Sequence, residues 1–206
     1  MSRYTGAKFK LCRREGINLF GPEKYNVKNR RGMPGQHGAT MPRQTEYYKL
    51  LRNKQVLKRM YGMNEKQFRN LVNVTSKKYA KNKGQEHDFV LTQFLNRRLD
   101  NVILSAGFAR TIMQARQMIV HEHFLLNGKK HNVPSYFVNP NDILTLKKSL
   151  QSSGLYDLDT KNFQAPVWLS VNYASFEVKV LELPGGTETE GLPVDVLKVI
   201  EFYARA

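Results

Sequence analysis

Thr111 with Gln114, Arg116 with Gln117, and the run Asn127-Gly128-Lys129-Lys130 are the residues whose types and spacing best suit chemistry on an anion. A Thr followed three residues later by Gln is a capping-box pattern. Hydroxyl and amide can each satisfy a backbone N–H that the first helical turn leaves unpaired. From that start Ile112, Ala115 and Ile119 share one helical face, and Arg116 and Gln117 point away from it. Asn-Gly is a strong hairpin signal, because both residues tolerate positive φ. The lysines that follow place two cations at the edge of that turn. A helix N-terminus, an arginine and a lysine-bearing turn close together suit phosphate oxygens.

The rest of the chain explains why an anion is the expected partner. It has 206 residues, formal net charge +16 and 41% hydrophobic content, so it can bury a core and still needs a polyanion. The charge is uneven: residues 1–83 hold 21 Lys and Arg against 4 Asp and Glu, net +17. Residues 97–148 hold 8 against 3, net +5, and residues 149–206 are net −4. An unpaired +17 repels itself unless counter-charge is supplied, and nucleic acid is the expected source. No run of 18 apolar residues appears and the N-terminus lacks a signal-peptide core, so no membrane partner is expected. The lone Cys12 fits a reducing compartment.

The elements that must position these residues can be read in outline. Residues 1–45 are rich in Gly and Pro and predict an extended basic arm with local turns, ordered on RNA. Tyr4, Phe9, Phe20 and Tyr25 within it would either stack on unpaired bases or pack on the next domain. From Glu46, Tyr47, Leu50, Leu51, Leu57, Met60 and Tyr61 form an apolar helical stripe ended by Gly62. Asn64 with Gln67 opens a second helix with Phe68, Leu71 and Val72 inside and Lys66 and Arg69 outside. Asp88 is the expected N-cap of a third. Trp168, Phe176, Val178 and Val180 suggest strands. Val196, Val199, Ile200 and Tyr203 predict a short C-terminal helix that must dock, since alone it is unstable.

Enzyme chemistry is poorly served. Arg98-Leu99-Asp100 resembles the triplet around the catalytic Asp of pseudouridine synthases, but Asn101, Val102, Ile103 and Leu104 follow where Thr or Ser and then Gly are needed. The alternative is that Asp100 pairs with a neighbouring arginine. Gly186 and Gly191 have phosphate-loop spacing without the required Lys and Ser or Thr. His121 with His123, and Cys12 with His37, are too few ligands for zinc. No cofactor, metal, catalytic residue or small-molecule substrate is therefore expected.

Several ordered motifs then carry a resemblance. Residues 97–148 resemble the small RNA-binding module named after the fourth small-subunit ribosomal protein, which also occurs in RNA-modifying enzymes. Arg3-Tyr4-Thr5-Gly6, Lys10 to Gly16, Leu19-Phe20, Pro34 to Ala39, Glu46-Tyr47, Met60-Tyr61-Gly62 and Glu201-Phe202-Tyr203 extend the likeness over nearly the whole chain. The chain thus resembles the small-subunit ribosomal protein S-four family, of bacterial or organellar type. The resemblance implies a non-enzymatic binder of small-subunit rRNA at a helical junction in the subunit body, acting early in assembly. It also implies contact with ribosomal protein S-five and other small-subunit proteins, an influence on decoding accuracy, and, as in many bacterial relatives, repression of its own mRNA. The location implied is the cytoplasmic small ribosomal subunit, with an organelle ribosome left open. Some members bind zinc through four cysteines in the arm. Here only Cys12 matches and Phe9 replaces another, so no zinc is expected.

The resulting expectation is an α+β protein: a mostly helical N-terminal domain with an extended basic arm, and a small α/β module with a short β-sheet. The domains are 1–45 (arm), 46–96 with 195–206 (helical), and 97–194 (module with a β extension). The expected RNA-binding residues are Arg3, Arg13, Arg14, Arg30, Arg31, Arg43, Lys49, Arg52, Lys58, Arg59, Arg98, Thr111, Arg116, Gln117, Asn127, Lys129 and Lys130. Arginine forks suit paired phosphate oxygens and lysines act as point charges.

Overall fold

Thr45 starts the first long helix. Its hydroxyl accepts from the Tyr48 N–H at 3.2 Å, satisfying an orphan donor of the opening turn. The computed structural model describes residues 4–29, 32–40, 43–81, 86–156, 164–185 and 192–205. Among them are seven α-helices: α1 Lys8–Glu15, α2 Glu46–Met60, α3 Glu65–Lys81, α4 His87–Asn96, α5 Leu99–Ser105, α6 Ile112–Val120 and α7 Val196–Arg205. Five strands complete the set: β1 Phe124–Leu126, β2 Lys129–Lys130, β3 Ile143–Leu146, β4 Leu169–Asn172 and β5 Glu177–Val180. The protein is α+β, in two compact units: residues 1–91 with 189–206, and residues 92–188.

In the first unit α2 closes as its sequence suggests. Gly62 has φ 56°, its N–H donates to Arg59 O at 3.0 Å, and Met63 N–H donates to Lys58 O at 3.0 Å. That pair of bonds is a Schellman ending, which needs the left-handed residue that glycine supplies. Asn64 and Gln67 then exchange side-chain bonds to each other's backbone N–H, at 2.7 and 3.4 Å, and open α3. Helix α3 buries Phe68, Leu71, Val72 and Thr75. The C-terminal α7 buries Val196, Val199 and Phe202. Tyr203 Oη donates to Glu65 at 2.7 Å, and the Asp195 N–H donates to Asn53 Oδ1 at 3.2 Å.

Three local expectations are corrected. The arm is not extended throughout, because residues 8–15 form α1. That helix buries Cys12 completely and ends at Gly16, whose φ is 75° and whose N–H donates to Cys12 O at 2.8 Å. Tyr47, placed on the buried stripe of α2, is 64% exposed, and its ring leans on Phe202 at 5.8 Å. Asp88 lies inside the first turn of α4, where its side chain accepts from the adjacent Phe89 N–H, while Glu86 O accepts the Val90 N–H.

The second unit is built on an antiparallel sheet of order β2-β1-β3-β5-β4. Asn127 (φ 50°) and Gly128 (φ 76°) form the two-residue turn that pairs Leu126 with Lys129. Positive φ at both positions matches the twist of the flanking strands. One face of the sheet (Phe124, Leu126, Leu144, Leu146, Val178, Val180) packs with Val102, Ile103, Phe108, Ala115 and Ile119 from α5, α6 and the link between them. Trp168 joins this core just before β4. Among the described residues no helix is long and apolar enough to cross a membrane.

Candidate nucleic-acid interface

The capped helix and the hairpin both form. Thr111 Oγ1 accepts from Gln114 N–H at 3.1 Å, and Gln114 Oε1 reaches back to Arg110 N–H at 2.9 Å, one residue earlier than a simple capping box. Gln117, Lys129 and Lys130 are exposed, on α6 and on β2. Asn127 is exposed too, but its amide is committed to the fold. Its Nδ2 donates to Asp142 at 2.9 Å, and its Oδ1 accepts from Ile143 N–H at 2.9 Å.

Two of the expected RNA-binding residues, Arg98 and Arg116, form ion pairs within the fold. Arg98 is 6% exposed; its Nε and Nη2 donate to the two carboxylate oxygens of Asp100 at 3.1 and 2.8 Å. Arg116 donates to the same carboxylate at 2.7 Å. Asp100 is fully buried, so two guanidiniums compensate a charge that would otherwise be costly to bury. This is the structural alternative for the Arg-Leu-Asp triplet, extended by a second arginine that spacing did not reveal. Arg97 is likewise a clamp, donating to Val138 O at 3.0 Å and Asn139 Oδ1 at 2.8 Å.

The helices of the first unit show the same division. Glu15, its side chain 1% exposed, accepts from Arg52 at 3.0 Å and from Arg59. Burial pushes its carboxyl above the usual range, against the pull of Arg52, Arg59 and Arg14. Glu65 accepts from Lys54 at 2.8 Å and from Lys58 at 2.9 Å. Burial raises its carboxyl, but the bonds from Lys54, Lys58 and Tyr203 outweigh that and hold it at about 2. Arg52, Lys58 and Arg59 are therefore half-buried ion-pair members.

Arg13 is partly buried and donates to Gly32 O and Met33 O, each at 3.2 Å, which pins the arm's turn to α1. Lys49 is exposed beside Glu46 at 2.9 Å. Arg14 and Arg43 are exposed. Arg3, Arg30 and Arg31 lie outside the described residues. Of the expected cations among the described residues, Arg14, Arg43 and Lys49 on the arm and α2, and Lys129 and Lys130 on the hairpin, face solvent. Lys66 and Arg69 are exposed on α3, joined by Lys77.

Arg110 was missed: it is exposed immediately before the Thr111 cap, at the positive end of α6. Its position next to the capping box was the available signal. Phe20, one reading of which was base stacking, is 7% exposed and packs edge-on against Tyr25 at 5.5 Å, whereas Tyr4 is 47% exposed. His123 Nδ1 lies 2.6 Å from Tyr156 Oη, and burial, His121 and Lys147 push the imidazole's pKa down. Among the described residues no three His, Cys, Asp or Glu side chains are grouped to hold a metal ion.

A helical unit and a sheet-based unit, each presenting lysines and arginines beside capped helix starts, define a two-part protein suited to a polyanion. Residues 3–96 match the family described as Ribosomal protein S4/S9 N-terminal domain, and residues 97–144 match the S4 domain. The chain is 41% identical over 214 residues to the small ribosomal subunit protein uS4 of Thermotoga petrophila, all of both chains being covered. It is 40% identical to that of Thermotoga maritima and 39% identical to uS4A of Clostridium perfringens, again over full lengths. The chain belongs to the uS4 family.

Proposed function

We propose that this protein binds small-subunit rRNA as an early assembly component, gripping a helical junction of the subunit body with the exposed cations of both units. Membership of the uS4 family makes it a structural, non-enzymatic, rRNA-binding constituent of the small ribosomal subunit. The observation that supports the finer reading is the division of cations. Arg52, Lys58, Arg59, Arg98 and Arg116 hold the fold, while Arg14, Arg43, Lys49, Lys66, Arg69, Arg110, Lys129 and Lys130 face solvent. Phosphate contacts of that kind position a protein on RNA without reading sequence.

The same reading includes contact with ribosomal protein S-five, a contribution to translational accuracy, and repression of the chain's own mRNA. Its cellular place is the cytoplasmic small subunit. With about six to ten phosphate contacts, rRNA affinity falls about 10³- to 10⁵-fold between 50 and 200 mM salt. A filter-binding series over that range tests it, and a nearly flat salt dependence would refute it. Reconstitution of subunits with and without the protein, adding other proteins in order, tests the early-assembly role.

A further inference from the structure

The first unit contains a cavity of about 290 Å³ that the ion pairs above do not explain. Its wall combines Arg14 and Arg52 with Tyr48, Met33 and Val194. The volume is near the lower end of small-molecule sites.

Four observations say what fits there. Arg52 spends Nη1 on Glu15 at 3.0 Å, a fifth of its side chain stays exposed, and a guanidinium carries more donors than that one bond uses. The Arg52 guanidinium carbon lies 5.4 Å from the Tyr48 ring centroid, so a planar cation and an aromatic ring share one side of the cavity. Arg14 is exposed, which leaves its fork available at the wall. The one carboxylate present, Glu15, is 1% exposed and already faces Arg52 and Arg59. Guanidinium forks favour phosphate oxygens, and unstacked bases settle on aromatic rings and arginine planes.

We infer that this cavity takes one nucleotide unit, its phosphate on Arg14 and on the donors of Arg52 that its fold-holding ion pair with Glu15 leaves over, and its base against Tyr48 and Met33. The inference rests on the rRNA-binding reading for the RNA form of that ligand. The same chemistry could be met by a free mononucleotide or by a nucleotide turned out of bound RNA.

The test uses the full chain in two arms. In the first, uridine, UMP, AMP and inorganic phosphate are titrated by ligand-observed NMR against the wild type, Arg14→Gln and Val194→Trp. The nucleotides bind at least about tenfold more tightly than nucleoside or phosphate alone, and each substitution weakens them about tenfold or more. In the second, ultraviolet crosslinks from small-subunit rRNA are mapped by peptide. A crosslink at Tyr48 or Met33 that Val194→Trp removes assigns the site to a nucleotide of RNA. Mononucleotide binding without that crosslink assigns it to a free nucleotide. Val194→Trp could simply unfold, and Arg14→Gln, at an exposed position, keeps the result readable. If the wild type binds rRNA with a steep salt slope yet shows neither nucleotide binding nor the crosslink, the cavity assignment fails and the rRNA reading stands. Mononucleotide binding without any rRNA binding would keep the cavity assignment and overturn the rRNA reading.

Discussion

Asp100 and Arg116, sixteen residues apart, meet at 2.7 Å in the interior of the second unit, where Arg98 already grips both carboxylate oxygens and shares Oδ2 with Arg116. The arrangement joins the start of α5 to α6, and through α6 it sets the direction of the capped helix start. Removing the anion leaves two guanidiniums without their partner. Asp100→Ala therefore destabilises by about 3–5 kcal/mol, the range seen when one member of a buried pair is lost. Urea unfolding followed by circular dichroism measures this. An unchanged midpoint would show that the triad does not hold the unit together.

The hairpin lysines predict the opposite pattern. Lys129 and Lys130 are exposed at the end of a two-residue turn. The double substitution Lys129→Gln, Lys130→Gln should reduce the slope of log affinity against log salt by about 1 to 2. Its unfolding free energy should stay within about 0.5 kcal/mol of the wild type. Arg98→Gln should do the reverse, lowering stability with the salt slope intact. If both variants moved both quantities together, the division of cations into structural and exposed sets would be mistaken.

What could be read from sequence follows the range of each interaction. The Thr111 cap, the Asn64–Gln67 box, the Gly62 ending and the Asn127-Gly128 turn were legible because each is completed within a few residues. The ion pairs were not. Glu15 finds Arg52 and Arg59 across 37 and 44 residues, and Asp100 finds Arg116 across 16. Spacing alone gave these arginines the same weight as Lys129. Helix α1 was obscured by the Gly and Pro density around it, although Gly16 is its terminator rather than a breaker within it.

Thr111 was expected at the RNA surface, yet its hydroxyl is occupied by the Gln114 N–H. Thr111→Ala should cost about 1 kcal/mol of stability through loss of the cap. Thr111→Ser keeps the acceptor and should restore most of it. Neither change should alter the salt slope of rRNA binding. A Thr111→Ala variant of normal stability that bound rRNA poorly would reassign the hydroxyl to the ligand.

Glu65 gives a pH test with a definite sign. It accepts from Lys54, Lys58 and Tyr203, which links α2, α3 and α7, and these bonds hold its folded-state pKa at about 2. A depressed carboxylate favours the folded state fully above its unfolded-state value of about 4.3. That contribution is lost as pH falls from there through about 2. The wild type should therefore lose stability across this window more steeply than Glu65→Gln, and the two curves should run parallel between pH 6 and 8. Glu65 is 45% exposed, so solvent screening keeps the difference modest. Urea midpoints at pH 7, 4 and 2.5 measure it. Curves that stayed parallel down to pH 2.5 would mean that this carboxylate does not anchor the C-terminal helix.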